Sequence, residues 1–193
     1  NGIPLIGWSI KVAKEVEKIS RVIVSTDSEE IARIALEYGA EVPFIRPDYL
    51  ATDNAAMDDV LVHAVKTLYE KKYNFDTFVW RDATTPFIRN IDIKNSIKLL
   101  KKSNCLAVCG VYEQHLNPYF NMVEIKKNKF LKLSKQLKKR PTSRQDSPHV
   151  YQLNGLYVYN AKKFLQNKKT QFSKCLHYEI PFHSGLMIDT EFE

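Results

Sequence analysis

Apolar positions along this chain alternate between two rhythms, one with the period of a helix and one of short continuous runs. Leu5, Trp8, Val12 and Val16 repeat at helical spacing behind Pro4 and predict an amphipathic helix over 4–17. The run at 21–25 predicts a buried strand. Ser28 then opens a helix over 28–38, with Glu29 and Glu30 in its first turn and Gly39 closing it. A second short strand is expected at 41–45, followed by a helix over 58–72 with Val60, Leu61, Ala64 and Leu68 inward. Phe78, Val79 and Trp80 form a third strand. It breaks into the polar loop 81–86 and enters a helix over 91–102 with Asn90 as its cap. Another strand is expected over 105–112. Strand and helix alternate up to Tyr112, the pattern of a three-layer, doubly wound α/β fold with a mostly parallel sheet. The first helix has no strand before it, so a leading βα unit is expected upstream.

Beyond Asn117 the rhythm changes. A strand is expected at 120–125, another at 150–159 with Asn154 and Gly155 inside it, a short helix at 161–166 and a strand at 175–180. Between them, 126–140 (KKNKFLKLSKQLKKR) is too charged for a core element. It reads as a hairpin arm, a partner-binding segment or a solvated excursion, and a protruding segment is expected within 115–148. No internal repeat divides the chain, so 1–193 is expected to form a single domain.

Composition narrows the chemistry. The 193 residues are 44% hydrophobic and 11% aromatic, enough for a core, and carry a net charge of +7, which favours anionic partners such as nucleotides, sugar acids, nucleic acid or lipid head groups. The three cysteines, Cys105, Cys109 and Cys175, lack metal-ligand spacing and read as reduced thiols of a cytoplasmic protein. There is no apolar run long enough for a membrane helix, and no signal peptide. Neither HExxH, nor a Walker-type GxxxxGK, nor a Ser-His-Asp order is present, which weakens zinc-protease, P-loop ATPase and hydrolase readings. The basic run holds one aromatic, Phe130, and so lacks a stacking platform for single-stranded nucleic acid.

Five polar clusters stand at expected strand ends or loops: Ser25-Thr26-Asp27, Arg46 with Asp53, the stretch Arg81 to Arg89, Arg144-Gln145-Asp146 leading to Asn154-Gly155, and Asp189. Any one of them is equally a salt bridge or a helix cap. Together they combine cations for phosphate or carboxylate oxygens with carboxylates for a divalent metal. That mixture suits phosphoryl or nucleotidyl transfer, where positioning and charge neutralisation dominate.

The order of these motifs resembles the acylneuraminate cytidylyltransferase family. The likeness is carried by NGIPLI (1–6), VIVSTDSEEIARIALEYGAEVPFIRPDYLATD (22–53), ATTPFIR (83–89), RQDSPHVYQLNGLYVY (144–159) and IDTE (188–191), and so covers essentially the whole chain. The wording of 144–159 is closer to sialic- or legionaminic-acid enzymes than to the Kdo-activating branch. The resemblance implies a nucleotide-diphospho-sugar transferase-like fold and transfer of CMP from CTP to the anomeric hydroxyl of a nonulosonic acid, with Mg²⁺ on the phosphates. It places Arg46 at the cytosine with Ala55 to Met57 beside it. Asp82 stands where the family more often has a sugar-binding Gln. Arg144, Gln145 and Asn154 fall near sugar acid and nucleotide, Asp189 matches a metal-ligating Asp, and Asp189 and Arg144 take the catalytic roles. The resemblance further implies a homodimer whose exchanged arm brings Lys135, Lys138, Lys139 or Arg140 to the neighbour's substrate phosphates.

The chain departs from the family pattern in three places. The family's N-terminal strand and triphosphate loop are expected before Asn1, and are not in this sequence. Met187 replaces one of two carboxylates near the end, and Glu193 stands where Asp is usual. Transfer to pseudaminic acid or another acid sugar, and a non-catalytic nucleotide- or sugar-binding relative, remain open on these residues.

Overall fold

A computed structural model describes residues 2–193; Asn1, the first residue of the NGIPLI stretch, lies outside the described residues. The helices are α1 (Leu5–Lys14), α2 (Glu29–Glu37), α3 (Met57–Glu70), α4 (Asn90–Lys102) and α5 (Ala161–Asn167). The strands are β1 (Thr77–Arg81), β2 (Ala107–Glu113), β3 (Val123–Ile125), β4 (Leu131–Leu133), β5 (Tyr151–Asn160) and β6 (Cys175–Glu179).

Local chemistry sets the helix starts. The Ser28 hydroxyl accepts from Ile31 N at 3.3 Å and Asn160 Oδ1 from Lys163 N at 3.0 Å, each satisfying an orphan donor of a first turn. At α4 the expected cap is displaced by one residue. Asn90 is already helical, and the buried Asp92 carboxylate reaches back to accept from Arg89 N at 3.1 Å, Nε at 2.9 Å and Nη2 at 2.8 Å. In α1 the expected inward Trp8 is 39% exposed, with Lys11 Nζ 5.7 Å from its ring centroid. Ile6 and Ile10 turn towards Ala35 of α2 instead, while Val12 and Val16 join the cluster around α4.

The sheet has the order β1-β5-β2-β6. β1, β2 and β6 share one direction, but β5 enters antiparallel between β1 and β2, and only β2 and β6 pair in parallel. The expected mostly parallel sheet is therefore mixed. The physical reason is the return of the chain from the 115–148 excursion, which delivers β5 from the opposite end of the sheet. The expected strands at 21–25 and 41–45 meet in a single parallel bridge, Ile23 to Glu41, with Glu41 N donating to Val22 O at 2.8 Å and Val24 N to Glu41 O at 2.9 Å.

Both faces of the sheet are covered. Ile93, Ile97 and Leu100 of α4 pack on Val108, Leu156 and Val158. Leu61 of α3 and Phe164 of α5 pack on Ala107 and Tyr159. Neighbouring strand residues thus point to opposite layers, as the strand period of two requires. β3 and β4 form a separate antiparallel hairpin with Val123 opposite Leu133 and Ile125 opposite Leu131.

Candidate active site

Three sequence stretches converge beyond the carboxyl end of β1, where open α/β sheets place their ligands. The first is the 82–85 turn. Thr85 is fully buried; its Oγ1 donates to Asp82 O at 2.8 Å and its N to the same oxygen at 3.3 Å. The second is a bulge in β5. Cys109 faces Tyr157 and Val111 faces Leu153, so β5 spends four residues where β2 spends two. A bulge re-aims side chains locally. Here it contains Asn154 and Gly155, and Gly155 has φ +73°, a conformation that costs glycine least. Its carbonyl accepts from Asp82 N at 2.9 Å. A Cβ at Gly155 would lie 2.5 Å from Asp82 Oδ2. The third is the C-terminal segment, tied to the turn by Ile188 N donating to Thr84 O at 2.8 Å.

Asp82 and Asp189 are thereby neighbours. Burial raises the Asp82 carboxyl above the ordinary carboxylate range, against the Trp80 hydrogen bond, and the Asp189 charge pushes it the same way. Trp80 Nε1 donates to Asp82 Oδ1 at 2.8 Å. This partner was missed in the sequence, although a residue two positions back on a strand shares its face. Asp189 is exposed, and its N donates to Glu193 Oε2 at 2.9 Å. The Met187 sulfur accepts from Gln152 Nε2 at 3.6 Å. Asn154 is fully buried; its Oδ1 accepts from Leu156 N at 3.2 Å and its Nδ2 has no partner.

A second grouping joins two expected clusters in an unexpected pairing. Arg46 N donates to Thr26 O at 2.8 Å and Arg46 Nη2 to Asp27 Oδ1 at 3.0 Å. Asp27, not the exposed Asp53, is therefore the partner of Arg46. Ala55 lines an open hollow of about 590 Å³ with Tyr49, Thr52, Asn54, Asp59 and His63, whereas Met57, at the start of α3, is half-exposed and outside that lining.

The remaining expected residues stand apart. Arg144 and Gln145 are exposed on a turn where Asp146 accepts from Thr142 Oγ1 at 2.8 Å and Ser143 Oγ at 2.9 Å; no hydrogen bond ties either side chain to the Asp82 turn. Both arginines of the 81–89 stretch are engaged in holding structure, Arg89 with Asp92 and Arg81 with the backbone carbonyls of Ser9 and Thr85. Among the described residues no group of three His, Cys, Asp or Glu side chains is placed to hold a metal.

Residues 1–182 match the family Cytidylyltransferase. The chain is 34% identical over 169 residues to post-translational flagellin modification protein B of Campylobacter coli, covering 86% of this chain and 71% of that protein. It is likewise 34% identical over 169 residues to the CMP-N,N'-diacetyllegionaminic acid synthase of Campylobacter jejuni, with the same coverage of both. Its fold is similar to that of a CMP:2-keto-3-deoxy-manno-octonic acid synthetase solved with CTP, with TM-score 0.62 and 15% identity over 92% of this chain and 79% of that one.

Proposed function

Because the chain belongs to the cytidylyltransferase family, we propose that it transfers CMP from CTP to the anomeric hydroxyl of a nonulosonic acid of the sialic or legionaminic type. The structural observation that carries this reading is the meeting of Asp82, the Asn154–Gly155 bulge and Asp189 beyond the carboxyl end of β1. The sugar oxygen attacks the α-phosphorus and its proton passes to solvent water. The bond to the bridging oxygen of the β-phosphate breaks, and pyrophosphate carries away the electron pair. The protein's part is positioning and charge control.

The donor set fits a hard cation: Asp189 offers an exposed carboxylate beside the half-buried Asp82. Mg²⁺ held at Asp189 would offset charge on the phosphates and take its other ligands from phosphate oxygens and water. Arg46, fixed by Asp27, presents a planar donor fork suited to the carbonyl oxygen and ring nitrogen of cytosine. Asn154 holds the bulge that shapes the sugar side, and Arg144 and Gln145 are assigned to the sugar acid by their place in the RQDSP stretch alone. The chain acts as a cytoplasmic homodimer; the exposed apolar face of the β3–β4 hairpin supports this, and no helix of the described residues is long and apolar enough to cross a membrane.

Pyrophosphate release from CTP and Mg²⁺, measured with sialic, legionaminic, pseudaminic and Kdo acids in turn, tests the assignment. Release is expected with a nine-carbon acid of the sialic or legionaminic type. Release with pseudaminic acid alone would move the substrate, and silence with all four would remove the activity.

A further inference from the structure

Arg81 is the charged group that this chemistry leaves unused. It ends β1 on the face opposite Trp80 and Asp82, so its guanidinium runs beneath the turn instead of into the site. Nη2 donates to Thr85 O at 2.8 Å and Nη1 to Ser9 O of α1 at 3.4 Å. Nε is buried without a partner, and no carboxylate is within ion-pair distance among the described residues. Burial alone draws the guanidinium down to about 10. A half-buried cation without a counter-charge is costly, and apolar residues of similar volume are often the more stable occupants of such a place.

The contacts leading out of Arg81 show what the cation does there. Its fork holds the carbonyl of Thr85, whose hydroxyl and amide both close on Asp82 O. Thr84, in the same turn, receives Ile188 N, the residue before Asp189. One side chain therefore secures the turn from which both carboxylates of the site are hung. It does so from α1, so the turn is referred to the helical layer and not only to its own strand.

We propose that Arg81 is a positioning residue for cytidylyl transfer: by clamping Thr85 to α1 it fixes the turn that presents Asp82 and anchors the segment carrying Asp189. The proposal rests on the cytidylyl-transfer reading for its kinetic consequence, but the clamp itself can be read without turnover.

The test compares Arg81→Met and Arg81→Lys with the parent protein. Arg81→Met is expected to lower kcat at least tenfold with KM for CTP within threefold, at an unchanged or higher melting temperature. Amide exchange at 82–86 and 188–189 is expected to quicken in that variant. Arg81→Lys, which keeps a donor for Thr85 O, is expected to recover part of kcat and of the exchange protection. If Arg81→Met does not fold, Arg81→Lys decides: reduced kcat at unchanged KM supports the clamp, and parent-like kcat overturns it. The proposal is also overturned by parent-like kcat in Arg81→Met, or by a kcat loss matched by a lost folded fraction. A parent protein with no transfer activity would remove the functional reading, while unchanged exchange at 82–86 in Arg81→Met would remove the clamp.

Discussion

Arg46 and Asp27, 19 residues apart, meet at 3.0 Å between Nη2 and Oδ1, one at the end of each of two bridged extended segments. The pair arrests a long side chain that is otherwise free to rotate, and so presents the guanidinium in one orientation. Arg46→Ala is expected to raise KM for CTP by on the order of 10- to 100-fold, since a hydrogen bond to a charged group is worth about 1.5–3 kcal/mol. KM for the sugar acid should change little. Asp27→Asn should lie between parent and Arg46→Ala. An unchanged KM for CTP in Arg46→Ala takes the residue out of the base site.

The same pair gives a stability contribution with a definite sign. The Arg46 hydrogen bond holds the Asp27 carboxyl below its ordinary value. A lowered carboxyl stabilises the fold above the unfolded-state value, about 3.9 for Asp, and that stability is lost as pH falls through the lowered value. Asp82 has the opposite sign. Burial raises its carboxyl, so ionising it costs the folded state, and stability falls as pH rises from the ordinary value through the raised one. Asp82→Asn is therefore expected to raise the melting temperature at neutral pH, with the gain vanishing below the ordinary Asp value. A variant that melts lower than the parent at pH 7 would contradict this account of Asp82.

These two aspartates show which parts of the site were legible in the sequence. Both sit in the polar loops that follow extended segments, and that placement follows from local pattern alone. So do the elements themselves: Ser28, Gly39 and the apolar spacing of α3 specify structure within a few residues of themselves. What the pattern does not encode is which distant group each polar residue meets. Asp53 and Asp27 are equally good carboxylates for Arg46, and only the bridge between Ile23 and Glu41 selects Asp27. Arg89 belongs to a stretch that reads as cations for substrate, but its i+3 neighbour Asp92 is fully buried, and that burial turns the pair into a cap. The β5 insertion was hidden for a related reason. Strand order depends on the path of the long 115–148 return, not on the residues of β5.

Gly155 ties backbone conformation to the Asp82 carboxylate. Any side chain there bears left-handed strain of about 1–2 kcal/mol. An added Cβ also meets Asp82 Oδ2 at 2.5 Å and Cβ at 2.8 Å. Gly155→Ala should destabilise the protein by at least that strain in urea denaturation, and should depress kcat in the fraction that remains folded. Parent-like stability would mean that the bulge relaxes without cost.

The cysteines should react in a fixed order. The Cys109 thiol is pushed up by its interaction with the neighbouring Cys175 thiol and by burial, while the same interaction lowers Cys175, whose Sγ lies 3.2 Å from Gln171 O. Cys175 also lines an open hollow of about 530 Å³. Its thiolate therefore forms at lower pH than that of a free cysteine, and iodoacetamide should alkylate it first, with Cys109 modified only on unfolding. Peptide mass spectrometry after brief labelling at neutral pH reads the order, and early modification of Cys109 would reverse the assignment.

The hairpin provides the last prediction. Its apolar face is bare: Val123 is 50% exposed, Ile125 76% and Leu131 64%. Glu124 and Lys132 pair on the other face, so the two faces can be altered separately. An isolated two-stranded hairpin is marginal in water and needs a surface to lie on. Burying these three aliphatic side chains returns roughly 4.5–9 kcal/mol at about 1.5–3 each. Association itself costs an estimated 4–15 kcal/mol, so one hairpin docked on one surface is a weak complex. Two-fold symmetry doubles the contact, because each copy covers the other's patch. Lys135 Nζ lies 5.6 Å from the Tyr119 ring centroid of its own chain. Light scattering should give a dimer for the parent protein, a monomer for Leu131→Asp and for deletion of 126–140, and a dimer for Lys132→Gln on the opposite face. A monomeric parent, or a dimer that survives both Leu131→Asp and the deletion, would show that the bare face serves another purpose.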